Sequence, residues 1–186
     1  MPYRQQGNSC GAWCAAHRIQ IALGASSDAA SFVRLAREIY AQVKFRHGEA
    51  PSDFVLAGYS DPWRIIDRLT SGKLPYTRLE VEAAAQTGRP DLYALVDGAP
   101  TRRQRTIGDQ PIRKLPGKYA IALFEVLAGL GGLHYMLVRV SSGSWEIYDP
   151  NNGKLAWHPL GGALVCDRRY SSGLANYKYL GAYIAC

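Results

Sequence analysis

Methionine is rare in this chain, at two residues, and cysteine is sparse, at four in 186. The cysteines stand at positions 10, 14, 166 and 186. No Cys-x-x-Cys pair occurs, so neither dithiol redox chemistry nor a zinc knuckle is expected. No apolar run approaches the roughly 18 residues that span a bilayer. The opening MPYRQQGNSC has no apolar stretch behind its Arg, so a cleavable signal peptide is not expected. Without that signal a disulfide framework is not expected either. Internal repeats and low-complexity tracts are lacking, which sets aside solenoids and disordered tails.

What is present suits a globular domain. Hydrophobic residues make up 47% and charged residues 20%, and a chain of this length buries roughly 70% of its unfolded surface. The expectation is one domain over 1–186. Its helical part covers about 1–70, its loop-rich middle about 71–117, and its β-sheet part about 118–186. Basic residues exceed acidic ones by 22 to 15. They gather in TRRQRT, IRK and CDRR without interleaved stacking aromatics, so nucleic acid is not expected as a partner and an acidic protein is.

CGAWCAAHRIQIAL carries apolar residues at helical spacing from Cys10 and stops at Gly24. Ser26, Ser27 or Asp28 can cap a second helix over about 29–45, with Phe32, Leu35, Ala36, Ile39 and Val43 on one face. A third helix opens at Asp61–Pro62, burying Trp63, Ile66 and Leu69. Candidate strands in the middle lie around Leu79 to Val81 and Tyr93 to Val96, and DGAPTRRQRTIGDQP reads as an exposed loop. KYAIALFEVL, HYMLVRV, SWEIYD, ALVCD and YKYLGAYIAC then read as strands, with a turn at SSGS. Helices first and antiparallel strands last imply an α+β fold.

The chemistry concentrates at three residues. A thiolate is the nucleophilic form of cysteine, and a helix N-terminus or a nearby imidazolium favours it. Cys10 stands where the polar RQQGNS gives way to a helix, and Gly11 after it permits close backbone approach. Cys14, among Ala and Trp, reads as packing. Of the histidines, His17 lies two turns along the same helix and cannot reach back, and His47 reads as solvated. His134 opens a strand after the glycine-rich AGLGG. If HYMLVRV and SWEIYD form a hairpin, Asp149 stands opposite His134 at its open end, where a carboxylate can orient the imidazole.

QQGNSCGAWCAA resembles the Gln-x4-Cys-Gly block of papain-like cysteine peptidases, especially the bacterial peptidases that remove double-glycine leaders from bacteriocins. HYMLVRV…SWEIYDPNNG resembles the His-strand and Asp-Pro-Asn-x-Gly block of those enzymes and of secreted effector cysteine proteases of bacterial pathogens. The resemblance implies a papain-like fold, with helices packed on a C-terminal antiparallel sheet. It assigns Cys10 as nucleophile, His134 as general base and acid, and Asp149 as orienting acid. Gln5 is the side-chain oxyanion donor beside the Cys10 backbone N–H, with Gln6 its near alternative. Ala12 stands where one branch has proline.

The implied reaction is acyl transfer without metal or cofactor. A protease comes first, acting on a protein substrate with small residues, glycine above all, before the cut. A glutamine deamidase or transglutaminase, a housekeeping leader peptidase and an idle binding module are the alternatives. A catalytic block starting close to Met1 and a chain ending in a strand suggest a domain released from a larger polypeptide. The expectation is a toxin or effector, cytoplasmic or delivered into a target cell's cytosol, held in check by an acidic immunity or inhibitor protein.

Overall fold

The computed structural model describes residues 5, 7–25, 28–49, 58–74, 77–97, 105–115, 117–127, 132–171 and 175–186. Over these the chain is α+β. α1 (Cys10–Leu23) is buried on every side from Cys10 to Gln20: Cys10 to Ala16 are small or apolar all round, and the polar His17, Arg18 and Gln20 are buried after them. It ends where expected, at Gly24, in the left-handed conformation that terminates helices. α2 (Ala29–Val43) is capped by Asp28, whose carboxylate accepts the Ser31 N–H at 2.9 Å, and buries Phe32, Ala36, Ile39 and Val43. Leu35 is only half-buried. α3 (Pro62–Ser71) is capped by Asp61, which accepts the Trp63 N–H at 2.8 Å, with Pro62 in the first turn where no donor is needed. Each large apolar side chain that these helices bury stabilises the fold by roughly 1.5–3 kcal/mol.

The middle segment forms β1 (Arg78–Val81), α4 (Ala83–Gly88) and α5 (Pro90–Asp97). The strand expected at Tyr93 to Val96 is therefore helical. Pro90 fits a helix's first turn, and the short apolar run faces inward through Leu92 and Val96 rather than alternating. The supposed exposed loop is in part a strap. Gly108 exchanges backbone bonds with β1, donating to Leu79 O and accepting from Val81 N–H. Residues 98–104, most of the basic TRRQRT, lie outside the described residues.

β2 (Tyr119–Val126), β3 (Leu133–Ser141), β4 (Ser144–Tyr148), β5 (His158–Pro159), β6 (Arg169–Ser171) and β7 (Asn176–Ala185) complete the elements. ALVCD is not a strand, and the pairing passes to β6 just after it. The sheet is antiparallel in the order β1-β7-β2-β3-β4-β5, with β6 pairing the other end of β7. One face packs Ile121, Leu137 and Ile184 against the helices, and the other packs Phe124, Met136, Tyr177 and Tyr179. Among the described residues no helix is long and apolar enough to cross a membrane.

Candidate active site

β3 runs further than its neighbour. The β3–β4 ladder extends only from Ser141↔Ser144 to Leu137↔Tyr148, after which the chain turns through Asp149 into the 3-10 segment Pro150–Asn152. Among the described residues no strand pairs with the outer edge of β3 at Tyr135, and α1 meets it with sulfur. The Tyr135 N–H donates to Cys10 Sγ at 3.3 Å, and Cys14 Sγ donates to the Tyr135 carbonyl at 3.4 Å. The backbone of one residue, Tyr135, thus binds two successive turns of α1 and fixes Cys10 beside the start of β3.

Cys10 is the first residue of α1. Ser9 makes no side-chain capping bond there, and no acidic residue occupies the first turn, so neither compensates the helix's positive end. Gly11 is needed for packing rather than for room at the thiol, since a Cβ there would lie 2.6 Å from Ser60 Cβ and 2.8 Å from Ile65 Cδ1.

His134 precedes Tyr135 and pairs in register with Phe124. Its Nε2 donates to Asp149 Oδ1 at 2.9 Å, leaving Nδ1 for the Cys10 side. Asp149 is fully buried; Oδ1 also accepts the Asn151 N–H at 2.9 Å, and Oδ2 accepts the Tyr177 hydroxyl at 2.9 Å. The register differs from the expectation that Asp149 stands directly opposite His134. Continuing the ladder puts Asp149 across from Met136, two residues along β3 on the same face, and the side chains close the gap. Burial works against the imidazolium of His134, but the Asp149 hydrogen bond and the adjacent Cys10 outweigh it and raise the pKa to about 9.

Burial disfavours the thiolate form at the remaining cysteines. Burial, reinforced by Cys10, pushes Cys14 well above its ordinary value; burial pushes Cys166 up to about 11 and Cys186 up to about 12. His17 lies away from the reacting groups, its ring against Tyr148, Trp157 and Phe32. His47 is exposed.

Gln5 is tied to the far end of the site, its N–H donating to Pro150 O at 3.1 Å. Its side-chain amide donates to Gly7 O at 3.2 Å. Gln6 lies outside the described residues. Above Cys10 runs the Gly58–Ser60 segment, held by Tyr40 O–H to Gly58 O at 2.8 Å and Tyr135 O–H to Ser60 O at 3.4 Å. Across from it Gly132 has φ 129°, and a Cβ there would sit 3.1 Å from the Tyr59 hydroxyl. Cys10 and His134 are each only 2% exposed, so the approach to them is narrow. Tyr40, Tyr59 and Tyr177 were not singled out from sequence. For Tyr177 a signal existed in the alternation of YKYLGAY, which sets Tyr177 and Tyr179 on one face.

The assembly brings together a thiol, an imidazole with Nε2 held by a carboxylate, and that buried carboxylate, the kinds of group that thiol acyl transfer uses. Among the described residues no group of three or more His, Cys, Asp or Glu is placed to hold a metal ion. Compared with family models, curated proteins and solved structures, the chain matches none of them.

Proposed function

We propose that this chain is a cysteine peptidase of the papain-like kind. Cys10, its thiol proton already held by His134 as the imidazolium, attacks a peptide carbonyl; His134 then protonates the leaving amine, and Asp149 holds the imidazole. The acyl-enzyme at Cys10 is released by water that His134 activates. The observation that carries the reading is the convergence of Cys10, His134 and Asp149, from a helix start, a strand start and a strand end, into one buried relay. The helix's first N–H groups supply a donor for the oxyanion. Gln5 supplies the second after its amide leaves Gly7 O.

The substrate is an extended protein segment with small residues, glycine first, before the cut. The support is the resemblance of the Cys10 block to that of double-glycine leader peptidases, together with a Cys10 that is only 2% exposed. The further proposal is a toxin or effector acting in a target cytosol and restrained by an acidic partner, which the excess of basic residues favours.

The test expresses the wild type and Cys10→Ala in a bacterial cytosol and compares their proteomes, with iodoacetamide adducts mapped on the purified proteins. New protein termini that depend on Cys10 support a peptidase. Deamidated glutamines without new termini move the reading to a deamidase. Labelling of Cys14 in preference to Cys10 removes the thiol assignment.

A further inference from the structure

Tyr177 sits in β7, two strands away from β3, yet its side chain serves two members of the relay at once. Its hydroxyl donates to Asp149 Oδ2 at 2.9 Å. Its ring lies against the His134 imidazole, centroids 5.3 Å apart and planes 18° from parallel. The residue is 1% exposed, and β7 holds it in register between Val126 of β2 and Tyr170 of β6. We propose that Tyr177 is a positioning residue that locks Asp149 in rotation and His134 in plane, so that the second imidazole nitrogen stays directed at Cys10. This rests on the thiol-enzyme reading above.

A carboxylate can rotate to exchange its oxygens, and a rotated Asp149 would offer His134 a misaligned acceptor. Here the oxygens have separate duties. Oδ1 takes His134 Nε2–H and Asn151 N–H, while Oδ2 takes the phenol. The phenol therefore opposes rotation and, as a donor to the charged form, favours the ionised carboxylate that the imidazolium needs. The stacked ring limits tilting of the imidazole and covers one of its faces.

The simpler reading is a core tyrosine that found the nearest acceptor, as buried tyrosines do. Other tyrosines of β7 fit that description. Tyr179 donates to Glu82, and Tyr183 donates to the Gln110 carbonyl, both structural partners of the strap. Tyr177 differs in meeting the orienting acid with its hydroxyl and the base with its ring.

The test needs no known substrate, because the pH dependence of Cys10 alkylation by iodoacetamide reads the relay directly. Tyr177→Phe keeps the ring and removes the donor. A carboxylate held less firmly supports the imidazolium less, and with it the thiolate that is alkylated, so the acid limb of the profile moves up by about one pH unit and the rate on that limb falls about tenfold. Replacing Tyr177 with 3-fluorotyrosine, a nearly isosteric and stronger donor, moves the limb the other way. Circular dichroism and thermal melts establish that each variant is folded. Unchanged limbs in both variants, with Cys10 alkylated selectively in the wild type, overturn the positioning role and leave the thiol-enzyme reading standing. Absence of selective Cys10 alkylation in the wild type overturns both.

Discussion

The backbone N–H of Tyr135 points at the sulfur of Cys10, 3.3 Å away across 125 residues of sequence. That bond docks the helix start on the strand that carries His134, and it exists because β4 stops early and leaves the β3 edge open. The candidate site is thus a consequence of unequal strand lengths as much as of three reactive residues.

Removal of the proposed base is the most direct check. His134→Ala should lower turnover by roughly 10⁴-fold, the scale seen when one member of a catalytic triad is lost. Asp149→Asn should also lower it, because an amide can present the wrong group to Nε2. Both are read as kcat/KM on whichever substrate the proteomic comparison identifies. Near-normal turnover by the His134 variant would remove it as the base.

The pH dependence has a definite sign. His134 holds its proton up to about pH 9, so the imidazolium is present at neutral pH and is lost as pH rises through that value. Activity should fall on the alkaline side near pH 9. In Asp149→Asn, without the carboxylate, that limb should move down toward the ordinary histidine range near 6.5. A limb that stays put would mean that Asp149 does not sustain the imidazolium.

Much of this was legible in the sequence where local chemistry decides structure. Gly24 stops α1, Asp61–Pro62 starts α3, and the Ser141–Ser144 turn closes the β3–β4 hairpin, each from a short run of residues. Cys10, His134 and Asp149 could be selected by type and order, and the structure brings them together. What distant chain decides was not legible. Tyr93 to Val96 is too short an apolar run for its period to separate strand from helix, and packing of Leu92 and Val96 settled it. The two-residue offset between His134 and Asp149, and the reach of Tyr177 from β7, depend on tertiary register that no local pattern encodes.

Gly11→Ala tests the close approach of α1 to the 58–61 segment. Alanine favours helix, so propensity alone would make the change stabilising by up to about 1 kcal/mol. The added methyl, however, would lie 2.6 Å from Ser60 Cβ and 2.8 Å from Ile65 Cδ1 in a packed core. Overpacking of this kind costs roughly 1–3 kcal/mol, so the variant should unfold at lower denaturant. An increase in stability would mean that the segment yields easily.

Acid stability should depend on His17. Its ring is buried among Tyr148, Trp157 and Phe32, and burial first, with Arg139 second, lowers its pKa to about 4. Neither ring nitrogen has a hydrogen-bond partner among the described residues, so nothing there stabilises a proton on it. A depressed histidine leaves folding unaffected at neutral pH, where both states are neutral. As pH falls below about 6.5 the unfolded chain takes up a proton that the folded chain refuses, and stability declines until the folded pKa near 4 is passed. At about 1.4 kcal/mol per pH unit, the loss attributable to this residue is on the order of 3 kcal/mol at the acid end. His17→Gln should remove that component. Its unfolding free energy, followed by denaturant titration, should fall less steeply between pH 6.5 and 4 than that of the wild type, even if it begins lower. Parallel curves for the two proteins over this range would show that His17 is protonated as readily in the fold as outside it.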